Sequence, residues 1–221
     1  MLQKHLKNPI AEPLSVQTLE QGARELASKD SDLAAILRRL GVPPLWPREP
    51  GFATLVHIIL EQQISLKAAH TMLLRLQSHL GEISPETVLQ AGTEALRELG
   101  LTRQKSRYCL ELASRVDSGE LALEDLPGLP TEEGRQALLK VPGLGPWSVD
   151  VYYMRALRKP EVWPFGDLAL ADAIADIKGL DAHPSRDEQA RITAAWAPWR
   201  AVAARLLWAH YLDARGQLNL S

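Results

Sequence analysis

The chain has 221 residues, of which 46% are apolar and 24% charged, and its formal net charge is −2. This length suits one core or two small lobes, and the near-neutral charge excludes a global attraction to nucleic acid, so any polyanion must bind a local patch. The single cysteine, Cys109, excludes a disulfide framework, a four-cysteine zinc site and a cysteine-ligated iron–sulfur cluster. No apolar run could span a membrane, and residues 1–15 lack a signal-peptide core, so a soluble intracellular protein is expected.

Apolar residues recur at helical spacing almost throughout, and no alternating run is long enough for a sheet. Serine, threonine, glycine and proline mark the ends of the predicted helices. In chain order, these helical segments are 15–30, 31–41, 52–63, 65–81, 84–92, 93–100, 103–119, 131–140, 147–159, 167–179 and 185–216. The pattern predicts an all-α protein of roughly ten helices, with 52–63 the most apolar and therefore buried.

We expect a two-lobed helical bundle. The middle helices, about 50–130, form one lobe, and the N-terminal residues together with about 131–221 form the other.

The stretch VPGLGPWS, residues 141–148, joins two predicted helices and carries no charge. Gly143 and Gly145 are expected to allow positive φ, and Pro146 suits the first turn of the next helix. Unpaired amides at such a helix start form an anion site that needs no lysine. An ordinary corner between two helices is the alternative interpretation.

Five blocks in order carry a family resemblance: FATLVHIILEQQISLKAA, LGLTRQKSRYCLELA, LLKVPGLGPWSVDVYYMRAL, VWPFGDLAL and WAPWRAVAARLLW. Together they resemble the helix–hairpin–helix DNA glycosylase superfamily, in its alkyladenine branch of the bacterial 3-methyladenine DNA glycosylase II (AlkA-like) type. The resemblance covers about residues 50–212. Residues 1–50 are too few for the separate N-terminal α/β domain that some members carry, so none is expected.

The resemblance implies a base-excision repair enzyme that flips an alkylated base out of duplex DNA and hydrolyses its N-glycosidic bond. Asp167 matches the catalytic aspartate, which would stabilise the positive charge that builds on the deoxyribose. From the residues alone, Asp167 also reads as a helix N-cap. The expected substrates are 3-methyladenine and 7-methylguanine, and the range extends to 1-methyladenine and 3-methylcytosine if the pocket is wide.

Trp147 stands where the lyase branches of the family have a nucleophilic lysine, so the resemblance implies a monofunctional enzyme that leaves an abasic site. Trp147 and Trp208 match aromatic residues of the base pocket, where they would stack on a cationic base. Val151 stands where a third pocket aromatic is found in the branch, which predicts a pocket that is wider or shallower.

The turn EQQIS resembles the family segment that enters the minor groove, with Gln63 as the plug for the vacated space and Gln62 facing the pocket. A capped helix end is the alternative. The resemblance also implies a monovalent cation, sodium or potassium, held by the backbone carbonyls of Leu139, Val141 and Leu144. No other cofactor is implied.

Contacts to the DNA phosphates are expected from Gly143, Gly145 and Ser148 of the hairpin. The cluster around Arg103 and Lys105 should contribute as well, although a solvated helix face is the usual meaning of such a run. The expected partner is double-stranded DNA with alkylated bases, without a membrane, and a monomer is expected. The location would be cytoplasm or nucleoid in a bacterium and the nucleus in a eukaryote.

Two other functions fit parts of the sequence. One is a glycosylase for oxidised or mismatched bases, against which Trp147 and the absence of a cysteine cluster weigh. The other is a helix–hairpin–helix module that binds DNA without chemistry, which would have no use for Asp167. Release of bases from methylated DNA distinguishes these three functions.

Overall fold

The computed structural model describes residues 12–218, which contain eleven α-helices, one 3₁₀-helix at Leu123–Asp125 and no strand. The α-helices are α1 (Val16–Lys29), α2 (Ser31–Leu40), α3 (Phe52–Glu61), α4 (Leu66–Leu80), α5 (Pro85–Glu98), α6 (Arg103–Asp117), α7 (Thr131–Leu139), α8 (Pro146–Arg155), α9 (Leu168–Lys178), α10 (Arg186–Ala194) and α11 (Arg200–Ala214). The all-α prediction is confirmed for this part of the chain. None of its helices is both long and apolar enough to cross a membrane. Most of the N-terminal segment examined for a signal peptide lies outside the described residues.

Local capping determines where most helices begin. The side chains of Ser15, Ser65 and Thr102 each accept a hydrogen bond from the backbone amide three residues later. These bonds satisfy amides that a helix start otherwise leaves unpaired, which is why the sequence pattern located these ends correctly. Pro146 is the first residue of α8, as expected for a residue without an amide proton.

One segment differs in detail from the prediction, and one confirms it. The run 185–216 was expected as one helix, but it forms α10 and α11 with a break at residues 195–199. Pro198 lies in that break and cannot donate to a helical hydrogen bond. The segments 84–92 and 93–100 were expected as separate helices, and α5 does consist of two helical stretches that meet at a non-helical Gly92, where φ is +67°.

The chain divides into two compact units. One comprises residues up to Pro47 together with those from Tyr153 onward, and the other is Arg48–Tyr152. The hairpin, 131–152, therefore belongs to the middle unit, whereas its residues were expected in the other lobe. The reason is packing within the middle unit, where Gly143 lies against Tyr108 of α6 and bonds to Gln62.

The unit formed by the two chain ends has a core of α1, α2, α9 and α11 side chains. Arg205 of α11 is fully buried within it and donates to the carbonyls of Leu45, Ala201 and Met154 at 3.0, 2.9 and 2.6 Å. Burial lowers the pKa of this guanidinium to about 9, and nearby Arg155 adds to the effect. Because a buried donor without acceptors is costly, the carbonyls of Leu45 and Met154 hold this face of α11 in place, whereas Ala201 lies one turn earlier in α11 itself.

In the middle unit, α3 packs on α4 and α6, and seven of its ten residues are buried. The two hairpin helices are joined by an ion pair between Arg135 of α7 and Asp150 of α8. The Asp150 side chain is almost completely buried, with 4% of its surface exposed. A carboxylate at such a position requires a cation, because desolvation of an unpaired charge is expensive.

We expect Arg135→Met to lower the free energy of unfolding by about 3 kcal/mol, because the Asp150 carboxylate would remain buried without its partner. Urea denaturation followed by circular dichroism measures the change. The double variant Arg135→Met with Asp150→Asn should recover a large part of the loss, since a neutral amide is less costly to bury. Equal stability of Arg135→Met and wild type would contradict a structural role for the pair.

Candidate active site and nucleic-acid interface

Asp167 lies immediately before α9, and its carboxylate is oriented by two hydrogen bonds. Its Oδ1 accepts from the backbone amide of Leu170 at 3.0 Å, which confirms the predicted N-cap. The indole Nε1 of Trp208 donates to the same oxygen at 3.3 Å. The preceding Gly166 has φ +90°, a conformation open to glycine, and it completes the turn that presents Asp167. The structure thus brings the predicted catalytic carboxylate together with one predicted pocket aromatic.

The surroundings of Trp208 are fixed on one side. Its ring is half-buried and packs on the core of its unit, one helical turn after the buried Arg205. The residue after Asp167 is the opposite case, since Leu168 is 72% exposed although its side chain is large and apolar. A fixed aromatic donor and an exposed apolar side chain therefore flank the carboxylate.

Trp147 is the second residue of α8 and is half-buried in the middle unit, whereas Asp167 and Trp208 belong to the other unit. Val151 lies one turn further along α8 and is buried, and so are the adjacent Tyr152 and Tyr153. Neither tyrosine is an exposed replacement for the missing aromatic. Burial raises the pKa of Tyr152. The hydroxyl oxygen of Tyr152 accepts a hydrogen bond from the amide of Gly51 at 2.9 Å, and this bond partly offsets the rise in pKa.

The hairpin backbone approaches its neighbour closely at Gly143. Gly143 has φ +93°, and a Cβ added there would lie 2.3 Å from Cγ of Tyr108. Gly145 differs, since its φ is not positive and an added Cβ would meet nothing within 4 Å. The expectation of positive φ is therefore confirmed for Gly143 and wrong for Gly145. Gly145 instead provides the carbonyl that accepts from the Val149 amide at 3.0 Å in the first turn of α8.

Several hairpin amides have no acceptor within residues 12–218. These include the amides of Gly143, Gly145 and Ser148, so the backbone donors expected for an anion site are present. The hydroxyl of Ser148 is not part of this anion site, because the side chain is buried and its Oγ accepts a hydrogen bond from Gln62. A contact from Ser148 to a phosphate would therefore come from its backbone.

Gln62 ends α3 and reaches the hairpin. Its Nε2 donates to the carbonyl of Gly143 at 2.8 Å and to Oγ of Ser148 at 2.9 Å, so both amide hydrogens are used. This side chain was expected to face a base pocket, but its nitrogen bonds to the hairpin instead. The next residue, Gln63, is exposed and has φ +58°, which is uncommon for a residue other than glycine.

Of the two basic residues predicted to contact phosphates, only Arg103 is exposed. Arg103 is exposed at the start of α6, but Lys105 is only 8% exposed, and its Nζ donates to the carbonyl of Leu60 at 2.6 Å. Burial lowers the pKa of Lys105, although the thiol of Cys109 acts in the opposite direction. Two residues along a helix correspond to a rotation of about 200°, so Lys105 points away from the face of Arg103. Lys105 is therefore not placed for a phosphate contact.

Comparison with known proteins identifies the family. The family model described as "HhH-GPD superfamily base excision DNA repair protein" matches residues 56–198, which is more than half of the chain. The chain belongs to the HhH-GPD superfamily. The resemblance seen in the sequence blocks is therefore confirmed.

Similar HhH-GPD proteins carry related names. The DNA-3-methyladenine glycosylase of Bacillus subtilis is 28% identical over 184 residues, covering 78% of this chain and 59% of the relative. The DNA-3-methyladenine glycosylase 2 of Escherichia coli is 25% identical over 214 residues, covering 89% and 73%. The chain spans 59–65% of the length of two Bacillus subtilis relatives, of which the second is YfjP.

Solved structures agree with the fold. The DNA-3-methyladenine glycosidase of Bacillus halodurans has a TM-score of 0.74 and 26% identity, covering 89% of this chain and 91% of that one. The Schizosaccharomyces pombe Mag1 glycosylase, solved in complex with abasic DNA, has a TM-score of 0.80 and 23% identity, covering 86% and 95%.

Sequence reasoning missed some features of this HhH-GPD chain. Tyr108 supports the hairpin although nothing in its sequence neighbourhood indicates this, and the partners Arg135 and Asp150 are 15 residues apart in the printed chain. The exposure of Leu168 had one signal in the sequence. Leu168 directly follows the helix-capping Asp167 and does not stand at a core-facing position of α9.

Gly143→Ala should destabilise the protein by about 3 kcal/mol, because it combines an unfavourable φ with a steric overlap against Tyr108. Gly145→Ala is the matched control and should stay within about 0.5 kcal/mol of wild type. Thermal and urea unfolding of the two variants test the difference. If both alanines were tolerated equally, the close approach at Gly143 would not constrain the hairpin.

Proposed function

We propose that this chain is a monofunctional DNA glycosylase that hydrolyses the N-glycosidic bond of alkylated bases, 3-methyladenine and 7-methylguanine among them. The observation that carries the proposal is the Asp167 carboxylate, held by the Leu170 amide and the Trp208 indole. The names of the similar proteins from Bacillus subtilis and Escherichia coli support the same activity.

The chemistry assigns a clear role to Asp167. Breaking the bond between base and sugar builds positive charge on the deoxyribose, and a fixed carboxylate stabilises this charge without having to reorganise. The same group can orient or deprotonate the attacking water. An alkylated purine is already cationic and leaves readily, so a second carboxylate acting as a strong general acid is not required.

The two tryptophans suit a cationic base. Trp147 and Trp208 are half-buried, and each could offer a ring face for stacking and cation–π attraction, worth about 0.5–2 kcal/mol per contact. Trp147 cannot form the Schiff base that a lysine at its position would form, which supports hydrolysis alone. With Val151 buried and no third aromatic at its position, we propose a substrate range that includes 1-methyladenine and 3-methylcytosine.

DNA would be held through its phosphates. The free amides at Gly143, Gly145 and Ser148 need no side-chain charge, and Arg103 is exposed at the start of α6. Gln63 projects from its turn and would fill the space left by the flipped nucleotide, with an amide that can hydrogen-bond the partner base.

The hairpin carbonyls suit a monovalent cation. Within the described chain the carbonyls of Leu139 and Leu144 accept no hydrogen bond, and that of Val141 accepts one, from the amide of Leu144 at 3.0 Å. A sodium or potassium ion held by these three oxygens would add positive charge beside a phosphate. This charge would be supplied without any basic side chain, which fits the net charge of −2.

The decisive experiment measures the release of free bases from duplex DNA that contains defined alkylated bases, comparing wild type with Asp167→Asn. Asparagine keeps the N-cap and the fold but removes the charge, so base release should fall at least about 100-fold while DNA binding remains. The product of the wild type should be an uncut strand with an abasic site.

Three results would contradict parts of the proposal. Binding without base release by wild type would indicate a DNA-binding module, and full activity of Asp167→Asn would leave Asp167 as a helix cap only. Release of 3-methyladenine alone, from DNA that carries all four lesions, would contradict the wide substrate range.

DNA affinity should fall with increasing salt, and Arg103→Ala should reduce the slope of log K against log salt by about 1, the value for one lost phosphate contact. Arg24→Ala, at an exposed arginine on α1, is the matched control and should leave the slope unchanged.

Replacing potassium by tetramethylammonium at constant ionic strength should weaken DNA binding, because that ion is too large for a carbonyl site. Unchanged affinity would argue against the cation.

A further inference from the structure

The turn that carries Gln63 is connected to the hairpin by one side chain. Both amide hydrogens of Gln62 are donated to the hairpin, one to the Gly143 carbonyl and one to the Ser148 hydroxyl. The Ser148 side chain is itself buried, and Gly143 is fixed by its packing on Tyr108. Gln62 is therefore anchored on a rigid part of its own unit.

A second side chain holds the same turn from α6. The ammonium group of Lys105 donates to the carbonyl of Leu60, in the last turn of α3. This carbonyl lies at the negative end of the helix dipole, where a cation is favourable and an acceptor is otherwise left without a partner. Lys105 is only 8% exposed, and burying its amine costs solvation free energy. The hydrogen bond to the Leu60 carbonyl offsets part of this cost.

The backbone directly after these anchors is strained. Gln63 has φ +58°, a left-handed conformation that is unfavourable for a residue other than glycine. Such conformations persist where the surrounding structure determines them, and they concentrate at functional sites. Gln62 and Lys105 hold the helix end immediately before Gln63, so these two side chains maintain its strained conformation.

We infer that Gln62 and Lys105 are positioning residues that fix the Gln63 plug relative to the hairpin. The side chain that fills the duplex and the backbone that binds the phosphate then keep a fixed relative position. This inference rests on the proposed glycosylase function and changes the part assigned to Gln62, which supports the plug rather than contacting the flipped base. All of these residues belong to the middle unit, so the linkage is internal to it.

The test compares one alkylated base in two duplexes. In the first the lesion lies opposite its normal partner base, and in the second it lies opposite an abasic-site analogue. The plug matters most in the first duplex, where the enzyme must break pairing and stacking and support the orphaned base. Single-turnover release with enzyme in excess measures the chemical and flipping steps without product release.

The variants are Gln62→Met and Lys105→Met, which keep side-chain length but remove the donors, and Gln63→Ala. Each should slow release from the paired duplex by about tenfold or more, while the loss on the abasic-opposed duplex should be several times smaller. Asp167→Asn, which affects bond cleavage, should lose equally on both. The Gln62→Met and Ser148→Ala losses should also be non-multiplicative in the double variant, because the two side chains share one hydrogen bond.

The outcomes distinguish a failure of the proposed function from a failure of the positioning roles. If wild type releases no base from either duplex, the proposed function fails and the positioning roles fail with it. If wild type is active but Gln62→Met loses equally on both duplexes, Gln62 contacts the base and the inference is overturned. Wild-type rates for both methionine variants would also overturn it. Should Lys105→Met fail to fold in a thermal melt, the Gln62→Met and Ser148→Ala series decides alone.

Discussion

The packing of the Gly143 backbone on the ring of Tyr108 is the contact on which the middle unit's functional surface depends. It is available only to glycine, since any side chain would overlap the ring, and it brings the Gly143 carbonyl within reach of Gln62. The amides of Gly143 and Gly145 have no acceptor in the described part of the chain, and Gln62 directly precedes the exposed Gln63. In the proposed function, a phosphate site built from backbone is thereby tied to a plug built from a side chain.

In the other unit, the corresponding constraint is the fixed orientation of one carboxylate. Asp167 is both a helix cap and the acceptor of the Trp208 indole proton, so a local rule and a tertiary contact hold the same oxygen. Trp208 is in turn held by α11, which the buried Arg205 anchors through the backbone carbonyls of Leu45 and Met154. A group with so little freedom suits stabilisation of developing charge, because no reorganisation is needed during the reaction.

Charge in this protein is used locally. The net charge of −2 gives no overall attraction to DNA, and the one lysine expected at the interface, Lys105, is instead buried against a helix end. In the proposed function, backbone amides and an exposed arginine would hold the polyanion, and carbonyl oxygens would do so only through a bound cation. These groups need no positive net charge, which would reconcile DNA binding with the nearly balanced charge of this HhH-GPD chain.

The sequence by itself determined most helix ends and the cap role of Asp167, because caps, prolines and positive-φ glycines act over three or four residues. It also identified the family through motifs in a fixed order. Only the tertiary structure decided that Gln62 bonds to the hairpin, that Lys105 points inward and that Trp208 meets Asp167. Those contacts join residues 41 to 86 positions apart, and residue type alone does not say which distant helix faces will pack together.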